Sequence, residues 1–371
     1  MSAIRCFSCS PFRPVRRWRS RVLLMGIGLC LATGASAGDY SDREAASAVI
    51  TAAEEAGVDP EWARQLIDAA QRQQSILEAI ARPAEKTKAW HEYRKIFLTD
   101  RRITEGVSFW NAHQNTLQTV AGRTGVPPEL MVAIIGVETY YGRITGSYRV
   151  IDALSTLAFD YPRRSPFFTS ELEQFLVLAW ESGKDPLALK GSYAGAMGYG
   201  QFMPSSYRAY ARSYEGETAP DIWDDPADAI ASVGHYLKAH GWRPGDGVTV
   251  GGIPEDPDPD VFARGLKPTQ TVAALALEGL KPAEPLDPKV MATPLRLEEE
   301  GGMRYWLGLQ NFYVITRYNH SAMYAMAVWD LSQAIVSARS EPCIATRAFS
   351  SGSLSLPWQR AHQSRLMHPK T

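Results

Sequence analysis

Apolar residues recur along most of the chain at the spacing of a helix. Between Ser41 and His113, alanine, glutamate, glutamine and leucine dominate and glycine is scarce, which predicts an all-α stretch. A new helix is predicted to open at Pro127-Pro128, since proline suits a first helical turn. Its run from Leu130 to Val137 is almost wholly apolar, which indicates burial on most sides. Further helices are predicted from Ser170 to Gly183, from Asp225 to Gly241 and from Ser321 to Ile335.

The pattern changes between Arg243 and Glu300. This stretch is rich in proline and glycine and holds short β-prone pieces such as 248–250 and 270–272. Turn signals around such pieces predict a small β-rich insert in a helical protein. The fold class expected from the whole pattern is therefore α+β, mostly α.

The first 37 residues differ from the rest of the chain. A basic region from Arg16 to Arg21 is followed by an apolar run from Val22 to Leu31 and by Ala35-Ser36-Ala37. That order is typical of a secretory signal peptide that is cleaved after Ala37. Two alternatives, a lipoprotein modified at Cys30 and twin-arginine export, have less support. Cys30 lacks the small residue that directly precedes a lipid-attachment cysteine. No cofactor motif that would require export in the folded state follows Arg16-Arg17.

Charge and cysteine content narrow the function classes. The chain has 39 basic and 40 acidic residues, and because the first 37 residues hold six arginines and no acid, the other 334 carry a net charge of −7. This balance argues against binding to nucleic acid or to an anionic membrane, and no membrane span is expected in the mature protein. Of four cysteines only Cys343 lies beyond residue 37, so an internal disulfide is excluded.

Glu138 is the first candidate for chemistry. It ends the apolar helix and lies four residues after Ile134 and seven after Met131, on one helix face. A carboxyl held against apolar side chains loses hydration, which raises the pKa of such a group toward that of a general acid at neutral pH. A buried acid paired with a structural arginine such as Arg143 explains the same pattern equally well, so Glu138 alone leaves both interpretations open.

A glycine-rich segment from Gly191 to Ser205 is the second candidate. It has four glycines in ten residues but lacks the spacing and the lysine of a phosphate-binding loop. Glycine allows a ligand or another chain segment to approach the backbone closely, and three side chains would line that approach: Ser192, Tyr199 and Gln201. The alternative is a tight turn that merely precedes a helix at Pro204.

Aromatic residues in the segment 317–324 form a third candidate. Tyr318 and Tyr324 have apolar faces and polar tips that suit sugar rings, and the Asn319 side chain suits an amide partner. Tyrosines at such spacing are more often core residues, so the signal is weak by itself. The same holds for Trp90, Tyr93 and Trp110 in the first helical stretch.

Four motifs taken together resemble the lytic murein transglycosylase B family. They are Gly136 to Gly142, the glycine-rich segment, Ile222 to Ile230, and Arg317 to Asn319, which occur in the family's order within residues 41–337. The resemblance implies a lysozyme-like helical core with a helical domain and a small β-domain. The expected organisation is a signal peptide (1–37), a helical domain (38–125), a lysozyme-like catalytic core (126–242), a β-rich insert (243–300), a segment that completes the core (301–338) and a polar, disordered tail (339–371).

The resemblance also implies an enzyme that cleaves the β-1,4 bond between N-acetylmuramic acid and N-acetylglucosamine in peptidoglycan. The product would carry a 1,6-anhydro end, because the C6 hydroxyl of the muramic acid and not water attacks C1. Glu138 matches the family's single catalytic acid and base. One carboxyl would thus do both proton transfers, unlike the two-carboxylate scheme of ordinary glycosidases.

Other positions match family residues that contact the substrate. The residues that line the sugar-binding groove are Ser192, Gln201 and Asn319. The tyrosines expected to shape that groove are Tyr93, Tyr199, Tyr318 and Tyr324. Near the peptide stem, where guanidinium groups bind carboxylates, the matching residues are Arg163 and Arg164.

The chain departs from the family in the calcium loop that members often carry. Residues 213–224 place Ser213 where an aspartate is expected and Glu215 and Glu217 at the next two positions. This degenerate loop does not match the geometry of an EF-hand, so no metal is expected. No redox or nucleotide cofactor is expected either.

Two other functions remain open at this point. A hydrolytic, lysozyme-type muramidase would use the same core and add water, and a non-catalytic peptidoglycan-binding protein would keep the groove with a structural Glu138. The ordered set of Glu138, Ser192, Gln201 and Asn319 argues against the second, since a binding protein needs no buried acid. The expected partners are peptidoglycan glycan strands, with cell-wall synthesis proteins as undefined further partners. The expected location is the periplasm, as a soluble protein after signal cleavage.

Overall fold

A computed structural model describes residues 38–81, 88–216 and 219–340, which belong to one compact unit. The predicted signal peptide and the predicted tail beyond residue 340 lie outside these residues. The α-helices are α1 (Glu44–Glu55), α2 (Pro60–Asp68), α3 (Gln74–Ile80), α4 (Trp90–Phe97), α5 (Asp100–Ala112), α6 (Gln114–Thr124), α7 (Pro128–Thr139), α8 (Val150–Asp160), α9 (Ser165–Ser182), α10 (Pro204–Tyr210), α11 (Pro226–Ala239), α12 (Val272–Leu277), α13 (Gln310–Thr316) and α14 (Ala322–Ser340). The strands are β1 (Tyr148–Arg149), β2 (Lys190–Gly191), β3 (Thr249–Pro254), β4 (Gln270–Thr271), β5 (Leu280–Pro282), β6 (Met291–Glu299) and β7 (Gly302–Gly308).

Two of the N-terminal helices, α2 and α5, begin where a short polar side chain satisfies a first-turn amide. The Asp59 carboxylate accepts a hydrogen bond from the Trp62 amide at the start of α2, and the Thr99 hydroxyl accepts one from the Arg102 amide at the start of α5. The described parts of residues 41–113 form α1 to α5, so the predicted all-α stretch is confirmed there.

Helix α7 lies at the centre of the core. Its residues from Leu130 to Ile135 are fully buried, and α14, α5 and α11 pack against it. The prediction of a helix buried on most sides is confirmed. Glu138 is thereby carried near the end of a helix that is buried along most of its length.

Two further predicted helices are present, and one of their predicted starts is wrong. Helix α11 begins after Asp225, whose side chain accepts a hydrogen bond from the Ala227 amide, and ends just before Gly241. Helix α9 ends at Gly183, which has a positive φ of 64°, as predicted. It begins at Ser165 and not at Ser170, because a proline at its second residue suits the first turn.

A five-stranded antiparallel sheet follows α11. Its strand order is β4-β6-β7-β3-β5, and the long hairpin of β6 and β7 pairs Leu295 with Trp306 and Glu299 with Gly302. The hairpin spans residue 300, where the β-rich insert was expected to end. A second small core under this sheet contains Val261, Leu275 and Leu307. The predicted fold class, α+β and mostly α, is confirmed.

A two-stranded sheet brings distant segments together beside α7. Strands β1 and β2 pair Tyr148 with Gly191 and Arg149 with Lys190. The glycine-rich segment therefore begins next to the loop that follows α7. This pairing positions the candidate site.

An ion-pair network joins α4 to the β6–β7 hairpin and to α14. The Arg94 guanidinium lies 3.4 Å from Glu299 and 3.3 Å from Asp330, and the Trp90 indole donates to Glu299 at 3.1 Å. Burial raises the pKa of Asp330 to about 6, although the positive charge of Arg94 opposes the shift.

We expect Asp330 to make the protein less stable as the pH rises through 6. An unfolded aspartate releases its proton near pKa ~3.9, so the folded protein holds this proton more tightly and loses stability between about pH 4 and pH 6. Asp330→Asn removes this titration. The stability of the variant relative to the wild type should therefore be higher at pH 7 than at pH 4 by about 2 kcal/mol. Urea unfolding measures it, and an equal difference at both pH values would contradict the expectation.

The C-terminal helix continues through Arg339 and Ser340, two residues into the segment predicted as a tail. Arg339 is held there because its guanidinium lies 3.1 Å from the Asn111 amide oxygen, 3.0 Å from that of Gln114 and 4.6 Å from the Trp110 ring centre. Within the described ranges, no single helix is long and apolar enough to cross a membrane. The pair α6 and α7 meets that test by length and composition only, with a bend of 112°.

Candidate active site

Glu138 lies in the last turn of α7, where the buried helix reaches the surface of the core, and it is half-buried. The Tyr324 hydroxyl from α14 donates a hydrogen bond to Glu138 Oε1 at 2.5 Å. Arg143, considered above as a structural partner for this acid, forms its ion pair with Glu105 at 2.9 Å. The Glu138 carboxyl therefore accepts a hydrogen bond from a neutral side chain of another helix.

Two tyrosines remain protonated beside this carboxyl. Burial, reinforced by the negative charge of Glu138, raises the pKa of Tyr324 and of Tyr318 well above 10. Both hydroxyls keep their protons at neutral pH and act as donors. Tyr324 donates to Glu138, and Tyr318 donates to the Gly200 carbonyl at 2.7 Å.

Tyr93 joins the same cluster from α4. It is almost fully buried, and its ring packs 5.2 Å from Phe97 and 6.3 Å from Trp90. Helix α4, which carries Tyr93, packs against α14, which carries Tyr324. Helices α4, α7 and α14 thus bring Tyr93, Glu138 and Tyr324 together.

The glycine-rich segment forms a tightly folded wall. The Ser192 hydroxyl accepts hydrogen bonds from the Ala194 and Ala196 amides at 3.3 and 3.1 Å, which closes a short loop. The Gln201 side-chain amide nitrogen donates to the Thr145 and Gly198 carbonyls at 3.1 and 3.0 Å. Its carbonyl oxygen is then the atom it can present to a sugar amide or hydroxyl.

This wall is fastened to the end of α7. The Thr139 hydroxyl lies 2.9 Å from the Tyr199 carbonyl, and a Cβ at Gly142 would lie 2.0 Å from the Tyr199 ring. Asn319 follows Tyr318 directly and is half-buried, and its carbonyl accepts the Ser321 amide at 2.7 Å. Hydrogen bonds therefore join the glycine-rich segment to the end of α7 through Thr139 and to Tyr318, the residue before Asn319, through the Gly200 carbonyl.

The two predicted arginines occupy a different environment. Arg163 and Arg164 lie in a 3-10 turn (Pro162–Arg164) before α9 and are exposed. The Arg164 guanidinium stacks over Phe167 at 4.3 Å, and Phe167 is itself 40% exposed. Their role at the peptide stem stays a prediction.

Sequence reasoning missed residues that build the site without lining it. Thr139 and Gly142 lie inside the motif around Glu138, and Gly146 lies four residues beyond that motif. A Cβ at Gly146 would lie 2.0 Å from the Gly191 carbonyl oxygen. Gly146 has a φ of 101°, which favours a residue without a side chain. The glycine itself is thus the one sequence signal for this position.

The Asp228 carboxylate, four residues beyond the degenerate calcium loop, holds the described part of that loop by hydrogen bonds. Both oxygens of the Asp228 carboxylate accept backbone amides, from Tyr214 and Asp221, each at 2.7 Å. Glu217 lies outside the described residues. Among those that the structure describes, no group of three or more His, Cys, Asp or Glu side chains could hold a metal ion. The Asp228 carboxylate therefore closes the loop by accepting hydrogen bonds from two of its backbone amides.

We expect calcium removal to leave thermal stability nearly unchanged. Asp228→Asn, in contrast, should destabilise the protein by about 2 kcal/mol, since a buried carboxylate that accepts two amides loses its charge. Thermal unfolding with and without a chelator, on wild type and variant, measures both effects. A large loss of stability caused by the chelator alone would reveal a calcium site.

Comparison with known proteins agrees with this geometry. The family model for the transglycosylase SLT domain matches residues 41–333. Over 292 residues the chain is 47% identical to the membrane-bound lytic murein transglycosylase B of Escherichia coli K12, which covers 76% of this chain and 80% of that protein.

Two solved structures are similar in fold. The Escherichia coli lytic transglycosylase Slt35 in complex with calcium is 45% identical with a TM-score of 0.75, covering 82% of this chain and 96% of that one. SltB3 from Pseudomonas aeruginosa in complex with NAG-anhNAM-pentapeptide is 28% identical with a TM-score of 0.68, covering 78% of each chain. The lysozyme-like core implied by the sequence motifs is confirmed.

Proposed function

This chain belongs to the transglycosylase SLT domain family, and we propose that it is a lytic murein transglycosylase that cleaves the β-1,4 bond between N-acetylmuramic acid and N-acetylglucosamine. The observation that carries the proposal is the Glu138 carboxyl, held by the Tyr324 hydroxyl at the open end of α7. The glycine-rich segment is fastened beside it through Thr139. A half-buried acid beside a polar wall suits proton transfer to a bound sugar.

Glu138 carries both proton transfers in this mechanism. Its protonated carboxyl first donates to the glycosidic oxygen as the C1–oxygen bond breaks and the N-acetylglucosamine side leaves. The N-acetyl carbonyl oxygen of the muramic acid supports the electron-poor C1 at this stage. The Glu138 carboxylate then takes the proton of the C6 hydroxyl as O6 attacks C1, which closes the 1,6-anhydro ring and restores the acid.

Tyr324 supports this cycle because it remains a donor throughout. Burial and the charge of Glu138 raise the pKa of Tyr324, so its hydroxyl keeps its own proton at neutral pH. The proton that moves to and from the sugar is therefore carried by Glu138. A hydrogen bond to a carboxylate is stronger than one to a carboxylic acid. The Tyr324 hydroxyl therefore stabilises the ionised Glu138 that waits for the C6 proton.

The substrate-binding roles follow the same arrangement. Ser192, Gln201 and Asn319 supply polar groups to the sugars, and half-buried Tyr199 supplies a ring face. Tyr93 is enclosed by the core and Tyr318 packs against it, so both shape the groove from beneath its surface. Exposed Arg163 and Arg164 bind carboxylates of the peptide stem. A peptidoglycan fragment is bound by the relative SltB3, which supports a substrate of this class.

The products of the reaction test the proposed function. Muropeptides released from purified sacculi should be one water lighter than hydrolysed muropeptides, and borohydride should not reduce their new ends. Products with reducible ends would show a lysozyme-type muramidase. Tight binding to sacculi without any release would show a non-catalytic binding protein.

The protein acts in the periplasm after export. The A-x-A site ending at Ala37 supports cleavage there, and Gly38 then becomes the first residue. N-terminal sequencing of the periplasmic protein should begin at Gly38. The relative from Escherichia coli is membrane-bound by name, and recovery of this chain in the membrane with a lipid on Cys30 would overturn the soluble form proposed here.

A further inference from the structure

The backbone leaves α7 after Thr139, one residue beyond Glu138, through an unfavourable turn. Tyr140 and Tyr141 have positive φ angles of 53° and 60°. A left-handed backbone costs free energy for any residue that carries a side chain, and it persists only where neighbouring groups enforce it. The position of Glu138 therefore depends on the contacts that hold this turn.

One set of contacts anchors the turn to α5. The Tyr141 hydroxyl donates to the Arg102 carbonyl at 2.8 Å. Its ring passes between two helices at glycines, since a Cβ at Gly136 would lie 2.7 Å from the ring and one at Gly106 would lie 2.5 Å from the hydroxyl. These contacts fix the turn relative to the helical core.

A second contact joins the turn to the glycine-rich segment. The Thr139 side chain is almost fully buried, and its hydroxyl accepts the Gly142 amide at 3.0 Å. The hydroxyl proton has two carbonyl acceptors within reach, Tyr199 at 2.9 Å and Ile135 of the same helix at 3.1 Å, and the contact to Tyr199 is the shorter. The Tyr199 ring lies directly against Gly142, where φ is 85° and a Cβ would collide. The Thr139 hydroxyl thus links two segments 60 residues apart in the chain.

Thr139 affects the site without contacting the substrate. Successive residues of a helix point about 100° apart, so the side chain after Glu138 faces another direction. The Thr139 side chain is 1% exposed and so is closed to a substrate. Its influence on the reaction has to pass through Glu138 and through the wall.

We propose that Thr139 is a positioning residue whose hydroxyl sets the distance between the Glu138 carboxyl and the wall that carries Ser192 and Gln201. This inference rests on the proposed function, in which one carboxyl serves the glycosidic oxygen and then the C6 hydroxyl. Both oxygens belong to a sugar held by the wall, so a shift of the wall misaligns both proton transfers. A misplacement of about 1 Å can cost about 100-fold in rate.

The test compares Thr139→Val with Thr139→Ser. Valine keeps the shape of threonine and removes the hydroxyl, so kcat for glycan cleavage should fall about 10-fold to 100-fold while KM changes less than about 3-fold. Serine keeps the hydroxyl and should restore kcat to within about 3-fold of the wild type. All rates are measured below the unfolding temperature of every variant. Should Thr139→Val fail to fold, Thr139→Ala gives the same comparison.

Thr156→Val is the matched control. Thr156 is also fully buried, and its hydroxyl accepts the Tyr40 hydroxyl and the Gln73 amide, at 3.3 and 3.0 Å, away from the wall. It should lose stability and keep kcat. The inference is overturned if the Val or Ala variant at 139 keeps normal kcat, if Thr139→Ser is as slow as they are, or if the control is equally slow. A wild type that forms no anhydro products overturns the proposed function instead.

Discussion

Glutamine in place of Glu138 is expected to lower the rate of glycan cleavage by about 100-fold to 10,000-fold while glycan binding survives. The amide keeps the size of the side chain and can still accept the Tyr324 hydrogen bond. It has no proton to give to the glycosidic oxygen and cannot take one from the C6 hydroxyl, so both steps fail. Release of muropeptides measures the rate, and sedimentation with sacculi measures binding.

Glu129→Gln is the matched control for this substitution. Glu129 is half-buried in the first turn of the same helix, at the opposite end from the site. Its replacement removes one favourable interaction with the helix dipole, which costs about 0.3 to 1 kcal/mol of stability and should leave turnover normal. Near-normal turnover by the Glu138→Gln protein would remove Glu138 from the chemistry and leave it a structural acid.

Alanine at Gly146 is expected to cause the second large loss, in stability and activity together. The φ of 101° is unfavourable for alanine, and the added Cβ would lie 2.0 Å from the Gly191 carbonyl oxygen and 2.5 Å from the Ser192 amide. These are backbone atoms, which cannot rotate away, so the loop that carries Ser192 has to shift. We expect a loss of about 3 kcal/mol or more from strain and overpacking combined.

Gly57→Ala separates the two causes. Gly57 has a similar φ of 91°, but nothing lies within 4 Å of the Cβ it would gain. Its replacement should cost only the left-handed strain, about 1 to 2 kcal/mol, and should not affect turnover. Unfolding in urea and muropeptide release report the two quantities. Equal destabilisation by both variants would show that the approach of Gly146 to Gly191 does not hold the wall.

Helices with clear end signals could be predicted from the sequence. Asp225 and Gly241 bracket α11 because a carboxylate caps its first amides and a glycine follows its end. Helix α8 carried no such periodicity, since every residue from Val150 to Ala158 is buried and no polar face marks its spacing. A helix enclosed on all sides cannot be distinguished from other buried segments by pattern alone.

The motifs of the candidate site could be predicted from the sequence, whereas the contacts between its distant segments could not. Glu138 stands out because an acid ends an apolar helix, and the glycine-rich segment stands out by composition. The partner of Arg143, Glu105, lies 38 residues away, and the carbonyl reached by Thr139 lies 60 residues away. Such pairs depend on how α5, α7 and the glycine-rich segment pack. One sequence does not contain that information.

The central claim is that Glu138 directs an attack by the substrate's own C6 hydroxyl. Digestion of purified sacculi in water enriched in oxygen-18 tests it most directly, by mass spectrometry of the newly formed ends. Attack by the C6 hydroxyl predicts anhydro ends that contain no oxygen-18. One atom of oxygen-18 at each new C1 would contradict it and identify a hydrolase.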